Sequence, residues 1–368
     1  MGCARMRAHP ACGGCPSGLQ RICTAAALLC ERRNTLAVSP QTNTDLASIA
    51  AALQEGSHYA ICGHVNPDGD CLGSMLALSG ALRALGKRVD CLLVEDAPVE
   101  EGLHFLPGFE TLTPAPNYAG HPDTFITVDV SLASRIGVCA DIRSRCARTI
   151  SIDHHRVPET YSQLNYVDPD APAACLIVWN LIKLLPVRVT PDIALCAYTG
   201  LMTDTGRFQF QNTNAESYLA ASEMVAAGVS PDLPAREVFQ SRSMASLHLE
   251  CRLLERMELL FDRRFSFSYL TRDDFREFGA SKADAEPLID TLRSVRGIEV
   301  ACILKDQPDG AVRGSFRAKT DADVSAMARA LGGGGHRAAA GFTFDGTLAE
   351  AIVAVKRQVG ALYGQESR

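Results

Sequence analysis

The sequence predicts a two-domain α/β protein whose first domain is built on a parallel sheet. Three observations carry that expectation. The chain has 368 residues, room for two domains at roughly 100–200 residues each. Residues 58–94 read as strand, helix, strand, and such a βαβ unit implies parallel strands. Beyond them, short apolar stretches recur, each delivering an acid or a histidine at its end. In open α/β sheets the carboxyl ends of the strands share one crevice, so these side chains are expected to converge.

Composition sets the outer limits. Hydrophobic residues make up 47% of the chain and charged ones 21%, as in an ordinary globular protein. A net charge of -6 argues against a general nucleic-acid coat protein, which is normally basic. A small anionic substrate stays open, because bound divalent cations reverse the local field. No apolar run reaches the roughly eighteen residues of a transmembrane helix, so no membrane partner is expected. The 14 cysteines lie mostly in apolar segments such as Asp90-Cys91-Leu92-Leu93. That pattern fits buried, reduced thiols and a cytoplasmic location.

Residues 1–42 stand apart. They hold Cys3, Cys12, Cys15, Cys23 and Cys30 among several arginines. Cys12-Gly13-Gly14-Cys15 has zinc-knuckle spacing, but no second well-spaced pair follows. The apolar run from Ala25 to Cys30 is short and lacks a small-residue cleavage site. A disordered extension is the expectation.

The regular text starts near Thr44. Asp45 to Leu53 has helical periodicity, with Asn43 or Thr44 as N-cap. Residues 58–63 form a buried strand that empties into His64-Val65-Asn66-Pro67-Asp68-Gly69-Asp70. A helix runs from Cys71 to Leu85, with Gly73 and Ser74 small enough near its start for close approach. Strands follow over Arg88–Val94, Asp123–Asp129 and Thr149–His155, the last two ending in Asp129 and in Asp153-His154-His155. Helices follow at 173–185 and 191–203, the second running into Asp204-Thr205-Gly206. A helix over 214–228 stops at Gly228, and Val229–Pro234 reads as a linker. The second block opens with a long helix at 243–261. It continues with strand 265–270, helix 282–293, strands 298–304 and 311–317 joined by a turn over Asp306–Gly310, helix 324–330 and a glycine run. The expected domains are 43–235 and 236–368.

The collected candidates are His64, Asp68, Asp70, Asp129, Asp153, His154, His155 and Asp204. Two divalent ions about 3.5–4 Å apart need about six ligands and a bridging carboxylate. Mixed carboxylate and imidazole donors suit Mn²⁺, Mg²⁺, Fe²⁺ or Co²⁺ better than a thiolate zinc site. Such ions polarise phosphoryl oxygens and acidify a bridging water, which is phosphoryl hydrolysis. Each piece alone has a structural reading. Asp68-Gly69-Asp70 makes a turn with capping acids, Asp129 makes a helix cap, and Asp153-His154-His155 makes a surface turn. Four such pieces, each after a strand or helix, form the more specific signal.

The stretches His64 to Ser74, Val128-Asp129, Asp153-His154-His155 and Thr203 to Gly206 resemble, in order, the four motifs of the DHH phosphoesterases. Gly314-Ser315-Phe316-Arg317 and Gly332 to Gly341 resemble their DHHA1 domain. The resemblance spans about residue 44 to the C-terminus and is nearest to the nanoRNase/pAp-phosphatase branch. It implies a parallel-sheet DHH domain with flanking helices, a smaller α/β DHHA1 domain, and an active site in the cleft between them. It implies two divalent ions, manganese first, with magnesium or cobalt as alternatives. It assigns His64 and Asp68 to one ion, Asp70, His154 and Asp204 to the other, and Asp129 to both. His155 then faces the substrate phosphate, and Asp153 supports by orienting a ligand histidine. With Asp129, these two form the expected catalytic set.

Substrate contacts are expected from Arg313 and Arg317, four apart on one strand face, and from Gly333, Gly334, Gly335 and His336. Glycines there expose backbone N–H groups to a phosphate, though a flexible linker is the plain alternative. Phe208 and Phe210 suit either base stacking or the core, Arg207 either phosphate or surface, and Trp179 the core. One departure stands out: Ala171-Pro172-Ala173-Ala174 lacks the hydroxyl that family members often carry. The implied activity is hydrolysis of short single-stranded RNA to mononucleotides and of 3′-phosphoadenosine 5′-phosphate (PAP) to AMP, with room for a homodimer. Competing readings are a soluble dinucleotide phosphodiesterase, a manganese pyrophosphatase, a single-strand DNA exonuclease, and a nucleotide-sensing or RNA-binding module with a relict site.

Overall fold

The computed structural model describes residues 39–156, 159–307, 310–335 and 337–364. Most of the N-terminal extension, with its cysteine pair, and His336 lie outside the described residues. The first described residues are tied down: the Ser39 and Thr42 hydroxyls both donate to the Val167 carbonyl, at 2.9 and 2.7 Å. The chain divides into two compact units, one ending at Pro234 and one starting at Ala235.

The first unit begins with α1 (Leu46–Glu55), capped by Asp45 rather than by Asn43 or Thr44. Then come β1 (His58–Cys62), α2 (Gly69–Ala84), β2 (Arg88–Leu93), β3 (Leu112–Pro114), β4 (Thr124–Val128), α3 (Cys139–Ser144), β5 (Arg148–Asp153) and β6 (Leu164–Val167). Helices α4 (Ala174–Ile182), α5 (Pro191–Asp204) and α6 (Ala215–Ala226) follow. The six strands form one parallel sheet in the order β3-β2-β1-β4-β5-β6. Strands covered on both faces read as nearly continuous apolar runs, and β1, β4 and β5 are buried in that way. The strand order reverses between β1 and β4, so a crevice opens beyond their carboxyl ends. All motif loops of the first unit empty there.

On one face of the sheet, α2 and α5 press together closely. A Cβ on Gly73 would stand 2.5 Å from the Cys196 carbonyl oxygen, and one on Gly200 only 3.0 Å from Asp70 Cα. Only glycine permits this approach. It brings the start of α2 against the end of α5, and with them Asp70 towards Asp204.

The expected linker at 229–234 is partly helical, because α7 (Asp232–Phe239) begins inside it. In the second unit, α8 (Met244–Glu255) stops short of the expected residue 261. Glu258–Leu260 instead forms β7, and the chain then turns through Phe261, Asp262 and Arg263, all at positive φ. Next come β8 (Phe265–Leu270), α9 (Arg272–Phe278), α10 (Leu288–Ser294), β9 (Val300–Asp306), β10 (Val312–Ala318), α11 (Val324–Ala330), β11 (Gly334–Gly335), β12 (Ala339–Phe344) and α12 (Leu348–Leu362). The helix expected over 282–293 starts only after Pro287. The sheet order is β11-β12-β10-β9-β8-β7, antiparallel except between β8 and β9. One core gathers Phe267, Cys302, Phe316, Phe342 and Val355; another gathers Leu253, Phe275, Leu292 and Ile303.

The described cysteines are all free, and of them only Cys251 is exposed. No helix among the described residues is long and apolar enough to cross a membrane.

Candidate metal centre

The centre starts where β1 ends. His64 Nδ1 lies 2.8 Å from the Val65 carbonyl. A carbonyl only accepts, so Nδ1 carries the proton and Nε2 is left to face the crevice. Asn66, at φ +56, turns the loop. Asp68 then caps α2: its Oδ1 accepts from the N–H of Asp70 and Cys71, at 3.1 and 3.0 Å. Its Oδ2 lies 3.8 Å from His64 Nε2, on a carboxylate that is 62% exposed. Asp68 therefore stands at the rim.

Asp70 is gripped from behind. Its Oδ2 accepts from Ala174 N–H at 2.6 Å and its Oδ1 from Cys175 N–H at 2.8 Å. These donors are the first two residues of α4, whose N-cap Ala173 has no side-chain cap. The start of α4, in the stretch Ala171-Pro172-Ala173-Ala174 that lacks a hydroxyl, is thus held by a carboxylate from another helix. A helix N-terminus favours that negative charge.

Asp129 sits just past β4 at φ +59, a left-handed conformation that aspartate tolerates better than most residues. The turn aims its buried carboxylate into the crevice. Oδ2 lies 3.4 Å from His64 Nε2, and Oδ1 lies 3.4 Å from both His154 Nε2 and His155 Nδ1. His154 Nε2 is in turn 3.7 Å from Asp70 Oδ2 and 3.9 Å from Asp204 Oδ2, while its Nδ1 lies 3.3 Å from the Ala171 carbonyl. Asp204 closes α5. Behind it the Thr205 hydroxyl donates to the Leu201 carbonyl and accepts from Phe208 N–H, and Gly206 takes φ +54. These contacts fix the end of the helix.

Asp153 stands one step back. Its Oδ1 accepts from the N–H of His154 and His155 and lies 2.8 Å from His155 Nδ1. It therefore orients the ring of His155, where the expectation was a ligand histidine. The candidate donor atoms fall into three groups, each within 4.8 Å: His64, Cys71 and Asp129; Asp129, His154 and His155; Asp70, His154 and Asp204. Cys71 was not anticipated. Its only signal was its place directly after Asp70, and burial pushes its thiol well above the ordinary value. Asp168 also follows a strand, yet its Oδ1 accepts from Asp170 N–H in a local turn, and it joins none of the three groups.

These residues fit divalent ions. Most of the separations around Asp129 and His154 run from 3.4 to 3.9 Å. That is longer than ordinary hydrogen bonds, and right for oxygen and nitrogen atoms sharing a cation at about 2.0–2.2 Å. Asp129 Oδ1 is buried with no hydrogen-bond partner among the described residues, a costly state that a cation relieves. The protonation balance agrees. Burial opposes charge on His64, but the Asp129 and Asp68 carboxylates outweigh it and push the imidazole up to about 10. Burial, with Asp129 beside it, pushes Asp70 up to about 8, and burial pushes Asp204 up to about 6. Burial also opposes charge on Asp129, but His154 and His64 hold it well below the usual carboxylate range. Without cations, protons occupy the cluster.

The other expected residues join none of the three groups. Arg313 and Arg317 share one face of β10, alternating with buried Val312, Gly314 and Phe316. The glycine run is not an open loop, because Gly334 and Gly335 pair with Gly341 and Ala340. A Cβ on Gly333 would stand 2.1 Å from the Gly341 carbonyl oxygen, so close strand approach explains that glycine. Gly334 has open space on its side-chain face. Phe208 stacks on Tyr218 with centroids 5.4 Å apart, and Phe210 covers Gly206. Arg207 is exposed. Trp179 is buried, its Nε1 donating to Glu223 at 2.7 Å.

A parallel sheet whose strand ends gather carboxylates and imidazoles around places for divalent ions defines a metal-dependent α/β hydrolase. The chain belongs to the DHH family: residues 58–201 match the DHH family N-terminal domain and residues 264–361 match the DHHA1 domain. It is 34% identical over 294 residues to the bifunctional oligoribonuclease and PAP phosphatase NrnA of Thermus thermophilus, covering 79% of this chain and 85% of that one. It is 27% identical to the protein of the same description from Bacillus subtilis, covering 76% and 86%. Among solved structures it is similar to an exopolyphosphatase-related protein from Bacteroides fragilis, at 26% identity and a TM-score of 0.81, covering 87% and 96%.

Proposed function

We propose that this protein is a two-metal phosphoesterase of the cytoplasm that hydrolyses short oligoribonucleotides to mononucleotides and PAP to AMP. The observation that carries the two-ion part is the split carboxylate of Asp129, one oxygen towards His64 and the other towards His154. The substrate part is supported by the activity named for the Thermus thermophilus relative. His64, Asp68 and Asp129 would hold one ion, and Asp70, His154, Asp204 and Asp129 the other. The hard oxygen and nitrogen donors favour Mn²⁺, with Mg²⁺ or Co²⁺ as alternatives. When bound, the ions supply Lewis acidity to the phosphoryl oxygens and to the attacking water.

The chain's own groups do the rest. Asp153 accepts the Nδ1–H of His155, which orients that ring and favours its protonated form towards an anionic phosphoryl group. Asp70, held by α4, cannot swing away from the crevice. Arg313, Arg317, Gly333, Gly334, Gly335 and His336 are the proposed substrate contacts of the second unit. Arg317 offers a planar fork for phosphate.

The test offers purified protein with Mn²⁺ a labelled dinucleotide, a five-residue RNA, a long RNA, PAP and pyrophosphate. Fast turnover of the dinucleotide and PAP, with the long RNA and pyrophosphate slow, is expected. A preference for pyrophosphate, or no phosphodiester turnover, would sink the reading. Arg317→Ala is expected mainly to raise KM.

A further inference from the structure

One side chain outside the ligand set touches two of the supports described above. Asn212 Nδ2 lies 2.9 Å from the Pro172 carbonyl, 3.0 Å from the Asp204 carbonyl and 3.2 Å from Asp204 Oδ2. The two carbonyls can only accept, so it is the NH₂ end of the amide that faces them. Pro172 stands two residues before Ala174, whose N–H holds Asp70 Oδ2. Asp70 and Asp204 belong to the same candidate group, with His154 between them. The amide therefore fixes Asp204 directly and Asp70 through the turn Pro172-Ala173-Ala174. Ala173 itself offers no side-chain cap to this turn. Asp204 also sits at a helix end that leads into three consecutive left-handed residues, Gly206, Arg207 and Phe208. Asn212 Nδ2 gives that carboxylate a donor at 3.2 Å.

We propose that Asn212 is a positioning residue for the ion held by Asp70, His154 and Asp204, and that it sets the affinity of that ion without touching it. The proposal rests on the metal-centre reading above. Groups that orient metal ligands typically change affinity by about ten- to a hundredfold when removed. Loss of the amide leaves Asp204 freer to rotate and the Pro172 carbonyl without its donor. The ion shared by His64 and Asp68 has no contact with Asn212 in this arrangement and is expected to be unaffected.

The experiment is Mn²⁺ titration calorimetry on the full chain, with Asn212→Ala and the near-isosteric Asn212→Leu, each checked for folding by circular dichroism. Wild type is expected to take two ions. Both variants are expected to keep one ion at wild-type affinity and to bind the other about ten- to a hundredfold more weakly. Dinucleotide kcat should then recover at raised Mn²⁺, with KM unchanged. Variant titrations that superimpose on a two-ion wild type overturn the role of Asn212 alone. Equal weakening of both ions, or failure of both variants to fold, also overturns it by making the residue a general structural one. A wild type that takes fewer than two ions overturns the metal-centre reading and this inference with it.

Discussion

The backbone N–H of Ala174 donates to Asp70 Oδ2 at 2.6 Å, so a candidate metal ligand on α2 also caps α4. Cys175 N–H completes the cap on Oδ1. One carboxylate thereby serves folding and ion binding at once. Asp70→Ala removes both acceptors, and loss of a helix cap costs about 1 kcal/mol. In the presence of chelator, the expected loss of stability is of that order. In saturating Mn²⁺ the gap from wild type is expected to widen, because ion binding stabilises only the chain that can hold it. Thermal unfolding with and without Mn²⁺ reads both numbers. A gap that does not change with Mn²⁺ would contradict the dual role.

The raised groups of the cluster set the pH dependence of ion binding. His64 at about 10 and Asp70 at about 8 both hold protons at neutral pH when no cation is present. Both must be unprotonated to serve as ligands, so ion binding expels protons. Higher pH leaves fewer protons to expel. The apparent Mn²⁺ affinity is therefore expected to rise between about pH 6 and about pH 8, by up to roughly tenfold per pH unit for each proton released. Calorimetry in buffers of different ionisation heat counts those protons. Binding that is flat with pH and releases no proton would exclude these groups as ligands.

The close crossing of α2 and α5 gives a packing test. A Cβ on Gly200 would stand 2.1 Å from Cys175 Sγ. Gly200→Ala is expected to cost roughly 1–3 kcal/mol in urea unfolding, as overpacking of a core does. Part of that loss should return in the double variant with Cys175→Ala, which removes the struck sulfur. Gly334→Ala, with open space around the new methyl, is the control, expected to shift stability by less than about 0.5 kcal/mol.

How far the sequence discloses all this depends on the reach of each signal. The loops after β1, β4 and β5 were legible because each ligand follows its own apolar strand directly. The bond from Asp70 to Ala174 spans 104 positions, and no local pattern marks it. The same holds for Asn212 and Pro172. Strands β3 and β6 have only three and four residues, too few for a period to show. The glycine run read as N–H groups open to a phosphate or as a flexible linker, and its pairing was not legible: the missing side chains allow β11 to pair closely with β12. The last helix, α12, was legible in principle, since Thr347 and Glu350 stand at capping-box spacing and form that box.

The bridging role of Asp129 is tested most directly by counting Mn²⁺ ions on the purified chain, wild type against Asp129→Ala, with electron paramagnetic resonance reporting whether the ions are coupled. Two ions per chain with a coupled signal are expected for wild type. Asp129→Ala is expected to hold no coupled pair and to lose more than about a thousandfold in dinucleotide kcat/KM, equivalent to about 4 kcal/mol. A coupled pair that survives Asp129→Ala, or a wild-type chain that binds at most one ion, would contradict a centre built across the two oxygens of Asp129.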